Sequence, residues 1–283
     1  MPATAKKTSA KKTAKKATRP ALAVAPAPSR SARRPLKPSA PRMTLAETMQ
    51  ALEQAGSAQT RKTYTRHGVI DPMFGVSFAT LKTLHKKIGV DHDLACALWD
   101  TGNYDARNLA VKIVDPLKMT PADLDRWAHG SASGVSYTAS LPIEGPHAIT
   151  RATEWLAADS LAARAAGWSL LGQLAQRDET LPDEFFTARL AQIQQRIHTA
   201  PNAERYPMNT AVIQIGLRNP ALRKAATAAA RQIGEVDIDH GDTDCKTPDA
   251  AAAIDKAWAH SLARGFASPA AHERTREPPR LRC

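Results

Sequence analysis

Apolar residues recur every three or four positions from Met43 onward, the spacing that places them on one face of an α-helix. The first such segment carries Leu45, Met49 and Leu52 and ends at Gly56, a residue typical of helix C-termini. Alternating runs of β-branched residues, which would predict strands, do not occur. The pattern therefore predicts an all-α protein.

The predicted helices are short, are joined by short turns and come in pairs. This arrangement is typical of HEAT-type repeats, in which helix pairs stack into an α-α superhelix. Two predicted helix starts share a Thr-Pro signature followed by a carboxylate, at Thr120 and at Thr247. We expect a HEAT-like α-solenoid over residues 43–263, preceded by a disordered basic arm (1–42) and followed by a disordered C-terminal tail (264–283).

The net charge of +12 lies in the arm and not in the helical region. Residues 1–42 contain twelve Lys and Arg and no acidic residue, which leaves 27 basic and 27 acidic side chains in the rest of the chain. The repeated Ala-Lys-Lys units resemble the tails of bacterial linker-histone-like proteins. Such a segment stays extended and binds polyanions by releasing their counterions, so we expect it to contact DNA phosphates. A solubilising tail and an organellar transit peptide are the alternatives.

Other features limit the class of protein. No run of about 18 or more apolar residues occurs, so the sequence predicts no membrane span. Cys96, Cys245 and Cys283 are too few and too scattered for a disulfide framework, which favours a reducing compartment. We expect a monomer in the bacterial cytoplasm, associated with the nucleoid.

Four segments resemble the AlkD-like DNA alkylation repair family, and they occur in the order that the family has. They are Tyr64 to Ile88 with its Phe-Gly-Val-Ser turn, Leu98 to Ile113, Asp159 to Ala175, and Asp239 to Ala250. Together they place the resemblance over roughly residues 44–260.

The resemblance implies a HEAT-like solenoid that holds double-stranded DNA and, in characterised members, releases purines alkylated at N3 or N7. Such a base is already a good leaving group, so a carboxylate and aromatic rings mainly stabilise the sugar oxocarbenium. No metal or organic cofactor is implied. We therefore expect a DNA-binding protein and candidate DNA glycosylase. A catalytically silent HEAT scaffold that binds DNA structures or a protein partner is the alternative.

The family's residues carry over only in part. Its phosphate-contacting arginine corresponds to Arg164, one turn before Trp168, and we assign both to DNA binding, with a structural salt bridge as the alternative for the arginine. The catalytic Trp-x-x-x-Asp pattern falls on Gly134 to Thr138, where the carboxylate is missing. A second family aromatic falls near Ile213 or Gln214, where no tryptophan occurs.

Three weak catalytic candidates lie at this gap: Asp125 and Glu144, the nearest carboxylates, and Tyr137 within it. The hydroxyls of Ser136, Tyr137 and Thr138 carry no full charge, so they can only bond a phosphate or position a water. Four aromatic residues are candidates to replace the lost rings, with core packing as the alternative for each: Trp127, Tyr137, Trp155 and Trp168.

A strip of basic side chains is predicted along the helix over residues 78–88, with three further basic residues upstream of it in the sequence. We assign it to DNA binding, with an ordinary solvated face as the alternative. Its members are Arg61, Lys62, Arg66, Lys82, Lys86 and Lys87.

The segment from Asp237 to Cys245 is rich in acidic residues. One His and one Cys do not give zinc spacing, and the terminal Glu of a calcium loop is absent, so we predict no metal site. An Asx-rich turn that leads into the last helix is the interpretation we favour. Lys246 beside it is assigned to DNA phosphates, and Asp239 and His240 are candidates for testing.

Overall fold

The structure is a computed structural model that describes residues 43–130, 134–135 and 137–282. The basic arm and Ser136, for which the sequence makes predictions, lie outside the described residues. Within them the chain forms thirteen α-helices and two 3₁₀ helices, without a strand. The α-helices are α1 (Leu45–Ala55), α2 (Ala58–Arg66), α3 (Phe78–Ile88), α4 (His92–Asp100), α5 (Tyr104–Ile113), α6 (Pro121–His129), α7 (Ala148–Ala157), α8 (Leu161–Arg177), α9 (Asp183–Arg196), α10 (Asn202–Gly216), α11 (Pro220–Ile233), α12 (Ala250–Ala263) and α13 (Pro269–Arg274).

The helices stack mainly against near neighbours in the chain, as in a HEAT-like array. Helix α4 packs on α5, α7 on α8, and α10 on α11 and α12. The longest helix, α8, lies between α7 and α10, and it approaches α7 closely because Gly167 has no side chain: a Cβ there would lie 2.8 Å from the amide nitrogen of Leu156. The predicted all-α, HEAT-like fold is confirmed. No helix of the described residues has the length and apolarity that a membrane span requires.

Both predicted helix starts exist, but the capping residue is the expected one at only one of them. Thr120 caps α6 as expected, and its hydroxyl accepts from the amide of Asp123. At the last predicted helix start, Asp249 is the cap and not Thr247, because the Asp249 carboxylate accepts from the amide of Ala252 at 2.9 Å. A carboxylate suits this position since it also meets the positive end of the helix dipole.

The Phe-Gly-Val-Ser turn before α3 is held by a buried carboxylate. Asp105 is fully buried on α5, and its oxygens accept from the amides of Phe74, Gly75 and Val76 at 2.6, 3.0 and 2.8 Å. Gly75 has φ 82°, a left-handed conformation that favours glycine. The turn is therefore a structural feature that connects α2, α3 and α5, and Tyr64 adds a hydrogen bond to the Val76 carbonyl at 2.7 Å.

We expect Asp105→Asn to lower the free energy of unfolding by about 2–4 kcal/mol, because an amide cannot accept three backbone bonds as a carboxylate does and brings its own donors. Urea denaturation measures the change. Asp93→Asn, on the exposed first turn of α4, is the matched control and should cost under about 1 kcal/mol. Equal effects of the two variants would contradict the assignment.

Residues 266–282 form a C-terminal strap, which corrects the expected disordered tail. Helix α13 packs on α8, and a 3₁₀ helix (Pro279–Leu281) contacts α5 and the other 3₁₀ helix (Thr138–Glu144). Arg280 is buried, and its Nε and Nη2 donate to the two carboxylate oxygens of Glu144 at 2.7 and 3.0 Å. Its Nη1 donates to the carbonyl of Val111 at 3.0 Å, and its own carbonyl accepts from Lys112 Nζ at 2.7 Å.

A second anchor joins the strap to the end of α8. Arg177 donates to Glu273 at 2.8 Å, and Arg282 donates to the other carboxylate oxygen at 3.0 Å. Burial raises the pKa of Glu273, but the hydrogen bonds from Arg282 and Arg177 outweigh burial and lower the pKa below its ordinary value. This anchor therefore stabilises the fold near neutral pH, and that stabilisation is lost in acid as Glu273 is protonated.

Arg280→Ala should destabilise the protein by about 3–5 kcal/mol, since it leaves Glu144 and several carbonyls without their donor. Arg276→Ala is the control from the same strap: its side chain is 53% exposed and its ion pair with Glu273 is 3.5 Å long, so it should cost less than about 1 kcal/mol. Thermal unfolding of both variants checks this, and a loss below 1 kcal/mol for Arg280→Ala would show that the strap is dispensable.

Candidate functional site

A groove of about 540 Å³ lies between α8 and α10, with contributions from the end of α6 and the first 3₁₀ helix. We call it the α8–α10 groove. Among the described residues, no charged side chain lines it. Its lining residues are Ala128, Gly134, Ala139, Ala162, Ala165, Ala166, Ser169, Gln173, Tyr206, Pro207, Thr210 and Gln214.

Helical spacing places these side chains in two rows. Ala165 and Ser169 are four residues apart on α8, and Tyr206, Thr210 and Gln214 follow at four-residue steps on α10. Residues with this spacing share one face of a helix. The row on α8 is mostly small but includes Ser169 and Gln173, and the row on α10 is larger and polar, so both helices supply hydrogen-bonding groups to the groove.

The polar groups of the groove are available to a ligand. Within the described part of the chain, the amides of Gln173 and Gln214 and the hydroxyl of Thr210 have no hydrogen-bond partner. Gln214 lies down on α8 because Gly172 makes room for it: a Cβ at Gly172 would lie 1.7 Å from Gln214 Oε1. The absence of a side chain at Gly172 therefore sets the orientation of this amide.

Positions singled out by the family resemblance meet in this groove, although the expected residues are missing. Gly134, where the family has its catalytic tryptophan, and Gln214, near the second family aromatic, both line the groove. Thr138, where the family has its carboxylate, is buried, and its hydroxyl donates to the Val135 carbonyl at 3.0 Å. Gly134 and Gln214 therefore line one groove, but among the described residues no acid is present at the position that the resemblance assigns to the carboxylate.

Tyr137 lies beside the groove in a strained conformation. Its φ of 66° is left-handed, which is costly for a residue with a bulky side chain. Ser140 donates to its carbonyl at 2.8 Å, and the ammonium of Lys112 lies 5.9 Å from its ring centroid. The side chain is 40% exposed, so it is accessible to a ligand, although it offers a phenol and not a carboxylate.

The two candidate carboxylates are committed to arginines. Asp125 accepts from Arg151 Nη1 at 2.9 and 2.7 Å and from Trp155 Nε1 at 2.6 Å. Glu144 accepts from Arg280, as described above, and neither acid lines the groove. Both therefore support the fold in this structure, and the role of general acid or electrostatic stabiliser would require their release.

Arg164 makes the structural salt bridge that was the alternative to a phosphate contact. Its Nε donates to Glu204 at 2.8 Å, and its Nη1 donates to the carbonyls of Ala158 and Asp159 at 3.0 and 2.7 Å. Trp168 Nε1 donates to the other oxygen of the fully buried Glu204 at 3.3 Å. With 2% of its surface exposed, Trp168 does not reach solvent and is in no position to contact DNA.

The remaining tryptophan candidates are also core residues. Trp127 stacks on Trp99 with ring centroids 4.3 Å apart and rings 5° from parallel. Trp155 is 2% exposed and uses its indole N–H on Asp125. None of these rings replaces a lost aromatic at the groove.

The basic strip is only partly available at the surface. Arg61 donates to the Phe74 carbonyl at 2.9 Å and so supports the turn before α3. Lys82 is half-buried. The other members of the strip are exposed on α2 and α3, where they are accessible to a phosphate: Lys62, Arg66, Lys86 and Lys87.

The acidic segment before α12 is a hydrogen-bonded turn. His240 Nε2 lies 3.0 Å from Thr247 Oγ1, and the amide and carbonyl of Asp239 both bond the Asn202 side chain, at 2.9 and 2.8 Å. Across residues 43–130, 134–135 and 137–282, no group of three His, Cys, Asp or Glu side chains could hold a metal ion. Lys246 is exposed at the edge of a separate cleft beside this turn.

Comparison with known proteins assigns the family. A family model described as DNA alkylation repair enzyme matches residues 48–250, which include every helix that forms the groove. The chain belongs to the DNA alkylation repair family.

Other proteins are similar to most of this chain. Two uncharacterized proteins, Lmo0209 of Listeria monocytogenes and Lin0241 of Listeria innocua, are each 28% identical over 217 residues, covering 74% of this chain and 93% of theirs. A solved structure from a new family of proteins related to the HEAT-like repeat DNA glycosylases, with affinity for branched DNA structures, is similar with a TM-score of 0.70. It is 28% identical and covers 80% of this chain and 96% of its own.

Several groove residues were not predicted from the sequence, among them Tyr206 and Gln173. Tyr206 is 49% exposed in the groove, and Gln173 lines it from α8. A signal for the first was present, since Tyr206, Thr210 and Gln214 repeat every four residues on a helix of a family member. The sequence alone does not show that this face is turned outward, because an aromatic at helical spacing is more often a core residue.

Arg164→Ala should lower the free energy of unfolding by about 3–5 kcal/mol, because it strands the buried charge of Glu204. Adding Glu204→Gln should recover part of this loss, with a coupling of at least about 1 kcal/mol in a double-mutant cycle. Arg196→Ala is the control, because its side chain is 49% exposed and lies 4.0 Å from the same carboxylate. If the effects of Arg164→Ala and Glu204→Gln on the free energy of unfolding are additive, the ion pair is not stabilising and a DNA-contacting role for Arg164 is favoured.

Proposed function

We propose that this protein binds DNA, that it prefers branched structures to a continuous duplex, and that the α8–α10 groove lies at the contact surface. The observation that carries the proposal is a groove at positions that the family resemblance assigns to catalysis, lined among the described residues by neutral small and amide side chains and by no acid. Family membership supports DNA as the ligand. The affinity for branched DNA described for the neighbouring structure supports the preference.

Positive charge for this binding comes from outside the groove. We infer that the exposed lysines and arginine of α2 and α3 neutralise phosphates, and the sequence of residues 1–42 adds twelve more cations. Each phosphate contact releases counterions, so affinity should fall steeply with salt while the preference between DNA shapes should not. Shape recognition would then depend on the folded part of the chain.

Release of alkylated purines is the second candidate function, and one feature favours it. Asp125 lies on α6 three residues before Ala128, which lines the groove, and its side chain is 39% exposed. Base release by this carboxylate would require a rearrangement that breaks its pairing with Arg151 and turns it towards the groove. The paired state in the structure makes this the weaker proposal.

Binding and base release should be measured on the same preparation. At one salt concentration, fluorescence anisotropy should show at least about tenfold tighter binding to a four-way junction than to a linear duplex of equal length, a difference well within the range of structure-dependent affinities. Equal affinities for the junction and the duplex would contradict the branch preference. Absence of binding to both would contradict the proposed DNA-binding function.

Base release is followed by chromatography of methylated DNA incubated with excess protein. We expect no 7-methylguanine or 3-methyladenine above the level without protein. Release that disappears in Asp125→Asn would instead establish the second candidate function.

A further inference from the structure

We propose that a phosphate of the bound DNA is held between helix α3 and the C-terminal strap by Lys82 and His85, and that His85 takes up a proton when the phosphate binds. The inference rests on the proposed function, and it names one phosphate contact and its dependence on pH. The ligand is a phosphodiester, the anionic group that every DNA structure presents.

Two basic side chains of α3 lie close enough to share one ligand. Lys82 and His85 are three residues apart on the helix, a spacing that places their Cβ atoms about 5–6 Å from each other on one face. Both side chains are half-buried, so each keeps part of its surface in contact with solvent. Hydrogen-bond donors on the two side chains can therefore meet the oxygens of a single phosphate.

The same face of α3 is turned towards α5 and the strap. Phe78, one turn before Lys82, lies beneath the ammonium of Lys112 of α5, with 5.9 Å between the nitrogen and the ring centroid. That ammonium donates to the carbonyl of Arg280 at 2.7 Å, which brings the strap to this edge of α3. His85 follows Phe78 by two turns of the helix, so it lies on the face where α3, α5 and the strap meet.

The charges that face His85 are mostly positive. Lys82 acts on it from α3, Lys112 from α5, and Arg280 and Glu277 from the strap. Burial is the main cause that lowers the pKa of His85 below its ordinary value, the three cations add to it, and the Glu277 carboxylate opposes them. The imidazole is therefore mainly neutral at pH 7 in the protein without DNA.

A phosphate supplies the negative charge that this cluster lacks. Among the groups that act on His85, Arg280 is paired with Glu144, which leaves two ammonium groups against the single carboxylate of Glu277. An anion beside the imidazole favours its protonated form, because an opposite charge within about 4–6 Å raises the pKa of a histidine. Binding then takes a proton from solution, and by linkage the affinity for DNA rises as the pH falls.

The phosphate site adjoins the α8–α10 groove through Tyr137. The ammonium of Lys112 lies 5.9 Å from the ring centroid of Tyr137, the same distance as from that of Phe78. Tyr137 lies in the chain between Gly134 and Ala139, which both line the groove. A DNA molecule that occupies the groove can therefore extend past Tyr137 to α3, so that the groove and the phosphate site form one contact surface.

The test compares the full chain with His85→Gln on a rhodamine-labelled four-way junction at pH 6 and pH 8, at one ionic strength. At pH 6, His85→Gln should bind about three- to tenfold more weakly than the wild type, since a change of one pKa unit corresponds to a factor of ten. At pH 8 the imidazole is neutral without DNA, and the difference should be below about twofold. Calorimetry in buffers of different ionisation enthalpy should show proton uptake by the wild type that is smaller in His85→Gln.

Three further variants locate the phosphate. Lys87→Gln is the matched control, because Lys87 lies on the same helix but acts on Glu47 of α1 and not on His85. It should weaken binding by a similar factor at both pH values and leave proton uptake unchanged. Lys82→Gln should weaken binding at both pH values and also reduce proton uptake. Glu277→Gln should tighten binding about two- to threefold, the size of an exposed charge interaction, since the phosphate no longer meets this carboxylate.

The outcomes separate this inference from the proposed function. If His85→Gln weakens binding equally at both pH values, the imidazole takes up no proton and the inference is wrong. If the wild type and His85→Gln share the same pH dependence and proton uptake while the junction still binds, the inference fails and the proposed function stands. Weaker binding by Glu277→Gln would contradict a phosphate beside the strap. No binding of the junction at either pH would contradict the proposed function itself.

Discussion

The carboxylate of Glu204 is the constraint on which the central part of the molecule depends. It is fully buried on α10, where an unpaired charge would be very costly. Arg164 and Trp168 of α8 both donate hydrogen bonds to it. The same guanidinium also bonds the carbonyls of Ala158 and Asp159 at the end of α7. One ion pair therefore fixes three helices. It also sets the spacing of α8 and α10, and with it the width of the groove between them.

Sequence patterns predicted the helical array well, because helical periodicity and capping are local. The Thr120 cap follows from four adjacent residues, and the family positions around Gly134 and Gln214 do meet at one site. The fate of Arg164 could not be predicted in this way, since its partner lies 40 positions further along the chain. The family resemblance identified Arg164 as a cation for DNA phosphates, but the packing shows that its charge is paired with Glu204.

The C-terminal strap also could not be predicted from local sequence patterns. A segment rich in arginine and proline looks like a solvated tail, because no local apolar pattern requires it to fold. Arg280 is nevertheless buried, and its guanidinium nitrogens donate to the Glu144 carboxylate and to the carbonyls of Val111 and Lys112 at the end of α5. Arg164 and Arg280 are thus both neutralised by carboxylates within the folded chain. The surface character of the helices therefore differs from what a count of charges predicts, and the groove itself is neutral among the described residues.

The strap also affects the order in which parts of the protein fold during synthesis. The ribosome adds Arg280 136 residues after Glu144, its buried partner. Helices α1 to α8 leave the exit tunnel and pair with their neighbours long before this arginine exists, as early parts of a chain generally do during synthesis. Until then the carbonyls at the end of α5 and the Glu144 carboxylate remain hydrated. The nascent solenoid therefore passes through a loosened state that closes only after Arg280 has been synthesised and has left the exit tunnel.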